Sequence, residues 1–295
     1  ITKEESLDRL AEAIRHAWSL SSTDKSSLHR LEIPVEPVDP LRWLRAQPFT
    51  TRIYWRSRDG GSETGATGVA LSLQKSPASA IHTLPRAAVD RLGQNADAGA
   101  ARFFGGIPFA QSRPEKDGVW GSFENSVFVL PRFELTVRND RAVLACHVTH
   151  EDFAERSPDD IIEELNKMRT EPESPGRAAP RLLLRTDQPS QAGWIDGIGE
   201  ALKIIRSGDL SKIVLARRSE LTIDSRLDPW ALLERLRDRS VNCYLFGFQF
   251  DGMAAFIGAS PERLYRRTDH IIESEALAGT RPRGVGEDDG RYADE

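Results

Sequence analysis

At 295 residues the chain can bury one large core or two ordinary ones, and 39% hydrophobic with 29% charged residues is the balance of a globular protein. A formal net charge of −5 lacks the basic excess of a nucleic-acid binder, which excludes nucleic acid as an expected partner. No run approaches the ~20 apolar residues of a membrane span, and the first thirty positions read as an amphipathic helix rather than a signal sequence. No membrane contact and a cytoplasmic location are therefore expected.

Thr2 and Glu5 have the spacing of a capping box, and Leu7, Leu10, Ala11, Ile14 and Trp18 share one helical face, so the chain opens with a helix. From about residue 32 to 150, short β-like runs dominate: 52–55, 68–72, 103–109, 126–130, 132–138 and 142–148. An Asn139-Asp140 turn joins the last two, and the pattern predicts an antiparallel sheet. His147 and His150 stand three apart in an expected strand, which puts them on opposite faces, and no HExxH occurs, so zinc is not expected. Cys146 and Cys243 lie in apolar runs without CxxC spacing and read as reduced core residues.

Ser157, Pro158 and Asp160 begin a helix through Met168. Residues 170–180 hold three prolines and a glycine and read as a linker, dividing 1–169, a helix with antiparallel strands, from 181–295, within one structural unit. Trp194, Ile198, Ala201, Leu202 and Ile205 form a helical stripe ending at Gly208, a natural left-handed cap. The segment 211–217, SKIVLAR, then reads as a strand. Asp228 and Pro229 start a helix through about Arg237. Tyr244, Phe246, Phe248 and Phe250 alternate up to an Asp251-Gly252 hairpin, and 253–257 return to residues 258–264, GASPERL. The predicted class is α+β, with large, mostly antiparallel sheets flanked by helices.

Lys212 and Glu262, fifty positions apart, are the candidate base and acid. Lys212 precedes Ile213, Val214 and Leu215 at the mouth of an expected buried strand, where desolvation turns an amine into a base near pH 7; a solvated surface cation fits the residue equally well. Glu262 follows Pro261 at a strand end, after Gly258, Ala259 and Ser260 leave room for a ligand, and an exposed glutamate paired with Arg263 is an equal alternative. In 275–284, EALAGTRPRG, the small Ala278 and Gly279 admit close approach to backbone N–H groups, and Thr280 or Arg281 offers donors to an anion; a plain turn has the same composition. The third glycine of a dinucleotide fingerprint, a GxxxxGK[ST] loop and a GxSxG elbow are absent.

These three motifs, in order and spacing, resemble the signature stretches of the chorismate-utilising enzymes: isochorismate, salicylate and anthranilate synthases and aminodeoxychorismate synthase. Residues 104–109 (FGGIPF), Trp120 and 128–135 (FVLPRFEL) are most similar to isochorismate synthases of the menaquinone or siderophore type. The resemblance implies that Lys212 activates water for attack at C2 of chorismate and that Glu262 protonates the departing C4 hydroxyl. It implies that Ala278, Gly279 and Thr280 line the substrate pocket. It also implies Mg²⁺, held by glutamates on segments beyond Glu295, so that the chain is expected to be part of a longer enzyme; the sequence does not fix the oligomeric state, and a monomer is the default expectation. Salicylate formation, amination with a glutamine amidotransferase partner, and a catalytically silent chorismate-binding fragment are the alternatives. A lysine at 212 argues against the anthranilate branch, where the resemblance leads one to expect glutamine.

Overall fold

Seven antiparallel strands form the main sheet of the computed structural model, which describes residues 3–20, 28–75, 101–108, 120, 123, 125–169, 180–268 and 270–275. In chain order the elements are α1 (Lys3–Trp18), β1 (His29–Val35), α2 (Pro40–Ala46), β2 (Arg52–Arg56), β3 (Ser62–Thr67), β4 (Leu71–Lys75), β5 (Phe104–Gly106), β6 (Ser126–Leu130), β7 (Phe133–Arg138) and β8 (Arg141–Val148). There follow α3 (His150–Glu155), α4 (Pro158–Asn166), β9 (Leu182–Gln188), α5 (Gln191–Ser207), β10 (Arg218–Ile223), α6 (Pro229–Arg239), β11 (Tyr244–Gln249), β12 (Phe256–Ser260), β13 (Arg266–Thr268) and β14 (Ile271–Glu273).

The main sheet runs β1-β8-β7-β3-β2-β11-β12, so strands from both sides of residues 170–180 share one ladder. A three-stranded sheet runs β4-β6-β5, and β9 with β10 and β13 with β14 form two-stranded ribbons. This is the expected α+β class with antiparallel sheets flanked by helices. None of the described helices is long and apolar enough to cross a membrane.

The period-2 alternation of the strands sorts the main sheet into two buried faces. On one, Tyr54, Phe133, Leu135, Leu144, Cys146 and Leu245 pack against Leu10 and Ile14 of α1, Leu41 and Leu44 of α2, Ile161 and Leu165 of α4 and Trp230 of α6. On the other, Ile53, Ala66 and Phe248 meet Phe104, Val127 and Val129 of the small sheet. Helix α2 comes close to β3 because position 65 is glycine: a Cβ there would lie 2.4 Å from the Pro40 carbonyl oxygen. Gly65→Ala is therefore expected to cost about 1–3 kcal/mol of stability by overpacking, read as a lower urea midpoint. An unchanged midpoint would contradict this packing.

Local signals landed where the residues put them. Ser157 and Asp160 form a reciprocal capping box at the start of α4, Asp228 accepts from the N–H groups of Trp230 and Ala231 to start α6, and Gly208 closes α5 with φ +83°. Leu10, Ala11 and Ile14 are buried as the α1 periodicity requires, whereas Thr2 lies outside the described residues.

Several elements differ from the sequence reading. The expected strand at 68–72 is broken, because Gly68 at φ +69° turns the chain between β3 and β4. His150 begins α3, whose Thr149 and Asp152 cap its first turn, so it does not share β8 with His147. The return strand after Gly252 lies later, at Phe256–Ser260. Strand β1 carries Pro34, which argues against a central strand but is tolerated at the edge that β1 occupies. Cys146 is buried and Cys243 only partly so; both are free thiols.

Arg132, which joins β6 to β7, is 2% exposed and forks onto the Asp152 carboxylate at 2.7 and 2.8 Å. Asp152 also accepts from the Thr149 N–H and hydroxyl at 2.8 and 2.9 Å. Burial alone would raise the Asp152 pKa, but these donors hold it below the usual carboxylate range.

Candidate functional site

Glu262 sits just beyond β12, as the proline at 261 requires, and is exposed. The Ser260 hydroxyl accepts from the Glu262 N–H at 3.3 Å and donates to the Glu262 carbonyl at 3.2 Å, which fixes the backbone that carries the carboxylate. Arg263 does not pair with Glu262. Its guanidinium reaches Glu275 at 3.1 Å instead. The room expected at Gly258 is filled by its cross-strand partner Phe246, whose Cζ lies 2.5 Å from where a Cβ would stand.

Lys212 lies between the Gly208 cap and β10 and is exposed. Residues 211–217 form no strand, which corrects the sequence reading: β10 begins only at Arg218, and Val214 is 81% exposed. An apolar run specifies a strand only where a partner ladder and a covering face exist. β9 supplies that ladder to residues 218–223 and not to the run before them. Among the described residues no hydrogen bond or ion pair joins Lys212 to Glu262. Ala278, Gly279 and Thr280 lie outside the described residues.

The main-sheet strands hold two further arrangements of charge. The turn between β2 and β3 projects Arg58, which forks onto both oxygens of Glu275 at 2.7 and 2.8 Å and donates to the Pro261 carbonyl at 3.0 Å. The Arg58 hydrogen bond, followed by its charge and that of Arg263, holds Glu275 below the usual carboxylate range. Sequence reasoning missed Arg58, since RDGG reads only as a hairpin turn. On the opposite flank, Glu134 is fully buried. Burial would raise its pKa, and Arg102 and Arg30 outweigh that and keep it ionised. The neighbouring His147 has its pKa pushed down to about 4 by burial. Its Nδ1–H donates to the Pro131 carbonyl and its Nε2 accepts from Arg30, both at 2.9 Å, so neither ring nitrogen is available to a metal.

The Mg²⁺ implied by the resemblance calls for several carboxylate oxygens around one point. No group of three or more His, Cys, Asp or Glu side chains placed to hold a metal ion occurs among the described residues. The described residues therefore do not fit that ion, and no chemical step is assigned to it. An apolar hollow of about 370 Å³, lined by Trp120, Phe123, Phe248, Phe250 and Phe256, lies over the FGG strand and is lined by neither Lys212 nor Glu262.

Comparison with known proteins covers most of the chain. The family described as "Chorismate binding enzyme" matches residues 12–295. Isochorismate synthase MenF of Escherichia coli (strain K12) is 30% identical over 83% of this chain and 52% of its own length. Isochorismate synthase 2, chloroplastic, of Arabidopsis thaliana is 28% identical over 94% of this chain and 54% of its own. The solved structure of MenF, described as the menaquinone-specific isochorismate synthase from Escherichia coli, superposes with a TM-score of 0.75 at 25% identity, covering 97% of this chain and 63% of that one. The chain spans about half the length of the curated relatives it matches.

Proposed function

The chain belongs to the chorismate-binding enzyme family, and from that premise we propose that it converts chorismate to isochorismate by adding water at C2 and expelling the C4 hydroxyl. The observation that carries this reading is the family match over residues 12–295, joined by relatives named isochorismate synthases along 83% and 94% of the chain.

The reaction is an isomerisation in which one water enters, one leaves and no electrons are exchanged. Water is a poor nucleophile until a base takes its proton, and hydroxide a poor leaving group until an acid supplies one. In the proposal the Lys212 amine takes the proton of the water that attacks C2, and the Glu262 carboxyl gives its proton to the C4 oxygen. The bond to C2 forms, the bond from C4 breaks, and one proton passes back from the lysine to the glutamate through solvent to reset the pair.

Ala278, Gly279 and Thr280 complete the proposed substrate pocket. Mg²⁺ enters only as a component of the assay, because the resemblance implies it. Supply of isochorismate to menaquinone synthesis, by a monomer in the cytoplasm, is the finer part of the proposal. The menaquinone assignment is supported by the likeness to the Escherichia coli enzyme described as menaquinone-specific, and the monomer and the cytoplasm are carried over from the sequence expectation.

The test is to incubate the full-length protein with chorismate, with and without Mg²⁺, and to separate the products by chromatography. Isochorismate as the sole product is expected. Pyruvate released with salicylate, or an aminated product that depends on ammonia, would assign a neighbouring reaction, and unchanged chorismate would contradict the proposal.

A further inference from the structure

We propose that Arg58 is a positioning residue for the acid Glu262, holding the strand end that carries it and tying that end to Glu275. This inference rests on the assignment of Glu262 as the acid.

Strand β12 is the edge strand of the main sheet, and residues 261–265, between its end at Ser260 and the start of β13 at Arg266, belong to no ladder. Ser260 ties the Glu262 N–H and carbonyl, and the Pro261 carbonyl between them needs a donor of its own. Arg58 supplies that donor: its Nη1 reaches the Pro261 carbonyl at 3.0 Å from 203 positions away in the sequence. The same guanidinium grips Glu275 with two parallel hydrogen bonds, the geometry with the least angular freedom available to an ion pair. Glu275 in turn holds Arg263, the residue next to Glu262. The acid is therefore bracketed on both sides, at Pro261 and at Arg263, by groups that converge on Arg58 and Glu275.

The turn that presents Arg58 is itself fixed. Ser57 and Ser62 exchange a backbone bond at 2.9 Å, the Ser57 hydroxyl accepts from the Ser62 N–H at 3.0 Å, and Asp59 accepts from the Gly61 N–H at 3.0 Å. The Arg58 guanidinium also lies 5.6 Å from the ring centroid of Tyr244, which is paired directly with Ser260. Stacking, fork and carbonyl contact together set its direction. Each neighbour of the acid is thus referred back to the rigid β2–β3 hairpin.

The experiment is a double-mutant cycle on the full-length protein, with steady-state kinetics on chorismate and a melting temperature for each variant. Arg58→Ala is expected to lower kcat by about 10–100-fold, since misplacing a catalytic group by an ångström costs on that order. KM is expected to change little and the melting temperature to move by only a few degrees. Arg58→Lys, which keeps the charge but not the planar fork, should recover part of the loss, and Glu275→Gln should reproduce part of it. The decisive reading is Arg58→Ala combined with Glu262→Gln: if Arg58 acts through Glu262, the double variant is no slower than Glu262→Gln alone. Losses that multiply in the double variant, or a kcat for Arg58→Ala within about twofold of the parent, would overturn the positioning role and leave the acid assignment standing. Full activity in Glu262→Gln would overturn the acid assignment itself and the positioning role with it.

Discussion

Replacing Lys212 with alanine is expected to lower kcat for isochorismate formation by about 10²–10⁴-fold, the range that a positioned base contributes to proton transfer. Lys212 is exposed, lies in no helix or strand, and makes no described contact with Glu262, so its removal should leave folding stability within about 0.5 kcal/mol of the parent. That separation makes the result informative, because lost activity then reports chemistry rather than unfolding. Glu262→Gln keeps the size and hydrogen-bonding edge of the side chain and removes only the transferable proton. It should fall in the same range, and because base and acid act in one step the two losses should not multiply in the double variant. A Lys212→Ala protein that forms isochorismate at the parent rate would remove the lysine from the mechanism.

Asp152→Ala is expected to destabilise the fold by about 3–5 kcal/mol, because it takes from the buried Arg132 guanidinium the carboxylate it forks onto and leaves only Glu164, 3.6 Å from its Nε, as counter-charge. Few single substitutions reach that size. Arg132 is 2% exposed, so water cannot replace the lost carboxylate, and the half of the α3 capping box in which the Asp152 carboxylate accepts from the Thr149 N–H is lost at the same time. Replacing both partners with apolar residues of similar volume should recover much of the loss, which distinguishes a stranded charge from lost packing. The pH dependence has a definite sign. The folded-state pKa of Asp152 lies below its unfolded value, so its contribution is present above the ordinary carboxylate range and is lost as pH falls through the folded pKa. Urea midpoints for the parent should therefore drop on acidification below about pH 4, and the apolar double variant should lack the share of that drop due to Asp152. A loss under about 1 kcal/mol for Asp152→Ala would contradict the buried-pair account.

What could be read from the sequence was what neighbouring residues decide among themselves. Ser157-Pro158 and Asp228-Pro229 announce α4 and α6 because a cap needs only the residues within one turn. Asp39-Pro40 carries the same signal for α2, with Asp39 accepting from the N–H groups of Leu41 and Arg42, yet the sequence reading placed no helix there. The Asn139-Asp140 turn was equally local, both residues standing at positive φ. Strand pairing is not local. The apolar run 211–217 looks like a strand in isolation, but β9 pairs with residues 218–223 instead.

The candidate site divides the same way. Lys212 and Glu262 stand out by motif, and the proline at 261 correctly places Glu262 at a strand end. Arg58 had no such signal, because its fork onto Glu275 spans 217 positions and exists only after the sheet has formed. Nor could the sequence foresee that Gly258 makes room for the ring of Phe246 rather than for a ligand.

The measurement that tests the central claim most directly is turnover of chorismate in ¹⁸O-labelled water by the full-length protein, with mass spectrometry of the product. If Lys212 activates solvent water for attack at C2 while Glu262 expels the C4 hydroxyl, each isochorismate formed carries one ¹⁸O, and Lys212→Ala and Glu262→Gln both lose its formation. Isochorismate without the label, or labelled product formed undiminished by both variants, would contradict the account.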